Sequence, residues 1–199
     1  ERAGRRLLLE NLSPYDLILI MEYVPRLGRR VWRRFCNSNP TVGILRDALY
    51  RLPEFRERII RALLAGDLDE YTLLSILRHT TSKTVITRVA ERILGSSTVS
   101  RAGLIGVIEH GPSRALRKNA AEKMLKVSMS REDLFVIMIY VPSLRRDAWE
   151  KLGANYREGE ITQIAQRVFK EIPALRSRAK KVLRTSRFLV EEMIDLSRR

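Results

Sequence analysis

Few side chains in this sequence are of the kinds that make and break bonds. The 199 residues include two histidines, His79 and His110, and one cysteine, Cys36. Two isolated histidines, with no cysteine or carboxylate cluster beside them, do not supply the ligands a metal site needs. One thiol cannot form a disulfide within the chain, which points to a reducing, cytoplasmic setting. Beside Phe35 at a helix end, Cys36 is expected to be a small buried apolar residue. There is no glycine-rich phosphate loop, no zinc pattern and no convincing Ser/His/Asp spacing. The expectation is a protein without turnover, cofactor or metal, and its chemistry must be sought in charge.

The charge is large. Lysine and arginine number 38 against 23 acidic residues, a net +15 with a sequence pI near 10.7. Such an excess on one surface attracts polyanions, of which nucleic acid is the commonest, through phosphate neutralisation and counterion release. The alternative partner is an acidic protein surface. No run of 18 apolar residues and no signal-peptide layout is present, which makes a soluble chain the expectation.

The elements that position this charge come from an internal repeat of about thirty residues. Its clearest copy is Pro142 to Leu152, in which Pro142 is followed by Leu144, Ala148 and Leu152. Pro173 is followed in the same way by Leu175, Ala179 and Leu183, Pro53 by Phe55, Ile59 and Leu63, and Pro25 by Leu27, Val31 and Phe35. Two copies lack the proline and count from Lys83 (Val85, Val89, Ile93) and Arg114 (Leu116, Ala120, Met124). These offsets fall within a narrow arc of an α-helix, so each segment carries one apolar stripe. Ahead of each turn lies a second apolar run: 17–24, 42–52, 71–77, 104–108, 134–141 and 161–172. The unit is therefore helix, turn, helix. Ser13-Pro14, Asn39-Pro40 and Ser130 through Asp133 read as helix starts, and Gly66, Gly95 and Gly153 as stops. Gly103, Gly106 and Gly111-Pro112 make the fourth unit the least regular.

Proline, an apolar residue, arginine, a small residue and leucine in this order resemble the second-helix pattern of HEAT repeats, best at Pro142–Leu152 and Pro173–Leu183. The resemblance spans residues 13 to 187 and implies an all-α, right-handed α-α superhelix (solenoid) of about six HEAT-like hairpins. The turns depart from the family in lacking its aspartate, which puts an internal Asp–Arg ladder in doubt. The whole chain, 1–199, is expected to be one repeat domain. A half repeat covers 1–12 and the units are 13–39, 40–67, 68–98, 99–130, 131–156 and 157–187, followed by a cap helix over 188–199. A fragment of a longer array is one reading of its ends.

The second helices together carry +18 and the remainder of the chain −3, so the basicity lies on one layer. The resemblance implies that second helices line the concave surface. Positions one, four, five, eight and twelve after each turn oppose the buried stripe. They hold Arg26, Arg29, Arg30, Arg33, Arg58, Arg61, Arg88, Lys118, Lys126, Arg146, Arg178 and Lys181, the expected contacts to nucleic acid or an acidic partner.

Arg56, Arg117, Arg145 and Arg176, three positions after the turn, flank the stripe instead. A structural ladder bonded to helix-end carbonyls is their expected role. Trp32 and Trp149 share position seven, where packing is the default and stacking on bases the alternative. Tyrosine and phenylalanine, mostly within apolar runs, are assigned to the core. HEAT-like arrays also include DNA glycosylases with a catalytic Asp in a basic groove. Asp147 is the residue that invites that comparison, but its neighbours Arg145, Arg146 and Lys151 make it an ordinary salt-bridged surface carboxylate.

Overall fold

The computed structural model describes residues 12–127, 129–155 and 158–184. Among these the fold is all-α. The helices are α1 Pro14–Tyr23, α2 Gly28–Asn37, α3 Val42–Arg51, α4 Arg56–Leu64, α5 Glu70–His79, α6 Lys83–Gly95, α7 Arg101–His110, α8 Arg114–Leu125, α9 Arg131–Tyr140, α10 Arg145–Asn155 and α11 Glu158–Glu171, followed by a helical stretch over 176–184. Sequential helices pack as pairs, α1 with α2, α3 with α4, α7 with α8 and α9 with α10, an arrangement compatible with a helical repeat array. The contacts divide the chain into two compact bodies, Glu1–Val89 and Ala90–Arg199. Within the first, α3 touches α1 and α5; within the second, α9 touches α7 and α11. First helices thus lie against first helices in each body. The half repeat 1–12, except for its last residue, and the cap 188–199 lie outside the described residues.

Four turns share one design. Val24, Leu52, Val141 and Ile172 each precede a proline and take φ between −116 and −129° with ψ between 67 and 85°. Steric conflict with the following proline ring bars them from the α region, which ends the first helix there. Each still donates its N–H back to the helix, to Ile20, Ala48, Ile137 and Val168. The proline then opens a single 3₁₀ turn (Pro25–Leu27, Pro53–Phe55, Pro142–Leu144, Pro173–Leu175), where its missing N–H costs least, and this turn leads into the second helix.

That missing N–H has a second effect. In a continuing helix the proline nitrogen would have bonded the carbonyl four residues earlier, which is Leu49, Met138 or Phe169. Those carbonyls are the ones the arginine at position three reaches. Arg145 Nε donates to Met138 O at 2.7 Å, Arg176 Nε to Phe169 O at 3.0 Å, and Arg56 Nε to Leu49 O at 3.5 Å. In the fourth hairpin, where no proline follows the helix directly, Arg117 Nε donates to Gly111 O at 2.6 Å. Gly111 is needed there, since a Cβ would lie 2.5 Å from Val107 O. The expected arginine ladder is present. The first hairpin has Gly28 at this position, and its Cα faces the Phe55 ring, only 3.1 Å from where a Cβ would stand.

The stripes are buried over most of their length, with Leu27, Val85, Leu116 and Leu183 only half-buried. Val31, Phe35, Ile59, Val89, Ala120, Met124, Ala148, Leu152 and Ala179 have essentially no exposed surface. Side-chain caps start the first helices: Ser13 and Ser130 form capping boxes with Asp16 and Asp133, and Thr41, Asp69 and Ser100 cap α3, α5 and α7.

Several local expectations change. Asn39-Pro40 does not start α3. Asn39, at φ 47°, donates to Cys36 O just beyond the end of α2, and the cap is Thr41, whose hydroxyl accepts from Ile44 N. Gly153 does not stop α10, which runs on to Asn155. Cys36 is exposed, because it follows the stripe residue Phe35 by one position and so points about 100° away from it. The tyrosines are not a core set. Tyr15, Tyr23, Tyr50, Tyr71 and Tyr140 are exposed, as is Phe169, all on first helices. An apolar run on a helix still has an outward face, and tyrosine, with its polar tip, tolerates that face.

A double-mutant cycle tests the turn. Arg145→Ala is expected to cost about 1–3 kcal/mol in urea or thermal unfolding, because a half-buried carbonyl loses a charged donor. In a Pro142→Ala background the restored N–H can serve Met138 O, so the same change is expected to cost roughly 1 kcal/mol less. A second check is pH. His79 packs edge-on against Tyr50, ring centroids 4.6 Å apart, and burial with Arg56 and Arg78 nearby holds its pKa below the usual 6.5. Its neutral form is the one folding favours, so stability is full above pH 6.5 and falls as pH drops through the folded-state value. His79→Gln is expected to flatten that part of the stability profile in thermal melts.

Candidate polyanion-binding surface

The second helices sort their cations into three groups by what each touches. The position-three arginines are spent on carbonyls within their own hairpins. A second group, at position nine, bridges hairpins. Lys123 Nζ donates to Leu94 O at 2.7 Å, and Lys151 Nζ to Leu125 O, so each lysine serves the C-terminal end of the preceding second helix. A cation there meets the negative end of the helix dipole as well as an orphan carbonyl. Sequence reasoning missed this set. The signal was present, since Lys123 and Lys151 occupy the same repeat position.

The first-helix layer has its own bridge. Arg101 donates to Asp133 Oδ1 at 2.9 Å and to Ser130 Oγ at 2.6 Å, joining the start of α7 to the capping box of α9. Asp133 is 1% exposed, and its other contacts are to Ser130.

The third group is the one proposed from the sequence to meet a partner. Arg26, Arg29, Arg30, Arg33, Arg58, Arg61 and Arg88 are exposed in the first body. In the second, Lys118, Lys126, Arg146 and Lys181 are exposed and Arg178 is half-buried. The two bodies treat them differently. Lys118 pairs with Glu122 at 3.5 Å and Arg146 with Glu150 at 2.8 Å, each one helical turn along the same helix. The Arg146 hydrogen bond holds the Glu150 carboxyl below its usual pKa, and Glu150 in return raises that of Arg146. Arg178 also lies near Glu150.

In the first body, position five is arginine in three successive second helices (Arg30, Arg58, Arg88) and position eight in two (Arg33, Arg61). Among the described residues, none of Arg26, Arg29, Arg30, Arg33, Arg61 or Arg88 forms an ion pair, and Arg58 rests 6.0 Å from the Phe55 ring centroid. Arg26, Arg29, Arg30 and Arg33 follow one another at three, one and three residues, along one face of α2 and its leading turn. This is the least favourable place for them. Like charges three or four apart on a helix repel, and no acidic residue stands in the first turn of α2, where cations face the positive end of the dipole.

Trp32, of the two roles open to it, has taken packing. It is 8% exposed, stacked on Phe55 at 5.1 Å with an 18° interplanar angle and tilted against Phe35. Trp149 is half-buried on α10. Asp147 is exposed in the first turn of α10, where a carboxylate suits the dipole. Cys36 lies near Arg58, but desolvation is the larger influence and pushes its thiol above the usual pKa, which disfavours the reactive thiolate. Among the described residues, no group of three or more His, Cys, Asp or Glu could hold a metal, and no helix is long and apolar enough to cross a membrane.

No family model matches this sequence, and neither a curated protein nor a solved structure matches it significantly.

The cost of the α2 arginines is measurable. Arg29→Glu and Arg30→Glu are each expected to raise stability by about 0.3–1 kcal/mol in urea unfolding at low salt, with the gain shrinking as salt rises.

Proposed function

We propose that this protein is a HEAT-like, right-handed helical array, intracellular and without catalytic turnover, whose second-helix face in the first body binds a polyanion, nucleic acid first among them. One observation carries the reading. Among the described residues Arg29, Arg30 and Arg33 of α2 form no ion pair, and Arg29 and Arg30 stand at the wrong end of a helix dipole, while Lys118 on α8 and Arg146 on α10 are matched with glutamates. A surface shaped only for solubility or stability has no reason to concentrate like charge where the helix disfavours it. A partner's phosphates would reverse the sign of both terms, since guanidinium pairs with phosphate bidentately and releases its counterions.

Arg29, Arg30 and Arg33 on α2 form the centre of the site, Arg26, Arg58, Arg61 and Arg88 its extension. Lys126, Arg178 and Lys181 are further candidates in the second body, with Lys118 and Arg146 weakened by their own glutamates. An acidic protein segment is the second reading. It is favoured by a cleft of about 200 Å³ lined by Met21, Pro25, Leu52, Pro53 and Phe55 together with Glu22, Arg51 and Glu54, whose apolar part could seat an anchor residue.

Fluorescence anisotropy of labelled mixed-sequence oligonucleotides across a salt series tests the proposal. Affinity should fall linearly in log salt. Arg29→Gln/Arg30→Gln/Arg33→Gln should flatten the slope by about 2–3 units and weaken binding at every sequence alike. Unchanged binding in that triple variant would exclude the α2 face. No binding at low salt would leave the acidic segment as the partner to pursue.

A further inference from the structure

The distribution of aromatic side chains bears on which nucleic acid the face would take, an inference that rests on the polyanion reading above. Single strands are gripped by two devices, a cationic groove for the backbone and exposed rings on which unpaired bases stack. In this protein the two are on different layers. Among the described residues the exposed rings, Tyr15, Tyr23, Tyr50 and Tyr71 in the first body and Tyr140 and Phe169 in the second, are all on first helices. Some are already covered by cations of their own layer: Arg46 lies 4.5 Å from the Tyr71 ring centroid and Arg51 5.3 Å from that of Tyr15.

On the arginine-bearing layer of the first body the rings are turned inward. Trp32, Phe35 and Phe55 are buried, Trp32 stacked on Phe55 and tilted against Phe35, under the same stretch of α2 whose outer face carries Arg29, Arg30 and Arg33. The surface offered to a ligand there is guanidinium without a stacking platform. Such a surface discriminates by charge density alone. A duplex carries about one charge per 1.7 Å and releases more counterions per neutralised phosphate than a single strand does. Its bases are already stacked on one another and need no ring from the protein.

We infer that the ligand of the arginine face of α2, α4 and α6 in the first body is double-helical nucleic acid, held by its phosphates and without sequence preference, and that single strands are disfavoured competitors. The length of the duplex contact is set by the position-five row of Arg30, Arg58 and Arg88, three successive second helices that address one backbone.

The test compares one fluorescein-labelled 20-nucleotide strand, its complement and their duplex by anisotropy at matched salt, as both DNA and RNA. The expected result is duplex binding at least about ten-fold tighter than either strand, with tryptophan emission unchanged on duplex addition. Trp149→Phe, a change away from the buried Trp32 stack, should leave duplex affinity as it was. Single strands bound as tightly as duplex, with tryptophan quenching that Trp149→Phe removes, would overturn the inference and leave the polyanion reading standing. Binding of neither form would overturn both.

Discussion

The architecture of three of the hairpins depends on one unsatisfied carbonyl. A proline ends the first helix and sets the entry to the second, but it deprives the carbonyl four residues earlier of its donor. Buried or half-buried carbonyls without a donor are costly, so the turn works only if another group arrives. The arginine at position three supplies it from the next helix. Two helices are thereby tied at their junction by a charged hydrogen bond, and the angle between them is fixed by covalent geometry on one side and by a guanidinium on the other. The apolar stripes can then meet in register. The fourth hairpin, without a directly following proline, reaches the same end differently: Gly111 brings its own carbonyl to Arg117.

This logic explains why the fold could be read from the chain and much of the surface could not. Helical periodicity, the pre-proline residue and the arginine three positions on are local signals, each written within a dozen residues, and each was found where expected. The tyrosines were misread because an apolar run hides which residues face outward. That assignment depends on the neighbouring hairpin, and the neighbour is thirty residues away. Cys36 failed for the related reason that one residue's rotation beyond a buried stripe separates core from solvent. The lysines at position nine were legible in principle, but their acceptor is a backbone carbonyl, which every residue has and no sequence advertises. The candidate site was legible as a charge excess. What the structure added is that Lys118 and Arg146 are paired with Glu122 and Glu150 one turn along their own helices, a pairing that net charge conceals.

The cations of the second layer therefore divide into those that hold the protein together and those that do not. Arg145 and Lys151 are neighbours of Arg146 and equally basic, yet each is committed to a carbonyl. Removing charge from such positions would report on stability and would be mistaken for a binding effect. Arg29 and Arg30 are expected to behave in the opposite sense, since they stand in the first turn of α2, where there is no acidic residue.

Gly28 makes the hairpins unequal. The repeat position that holds the turn arginine in four other hairpins is here emptied so that Phe55, from the turn of the next hairpin, can lie against the backbone and stack on Trp32. The first hairpin therefore closes its junction with a ring borrowed from its successor. Repeats of this kind are often treated as beads that can be deleted, duplicated or exchanged. These two are a matched pair, and the helix bearing the densest arginine face can stand only in front of a hairpin that brings an aromatic ring to that notch. The order of the repeats, and with it the place of the basic face along the chain, is written into a missing side chain.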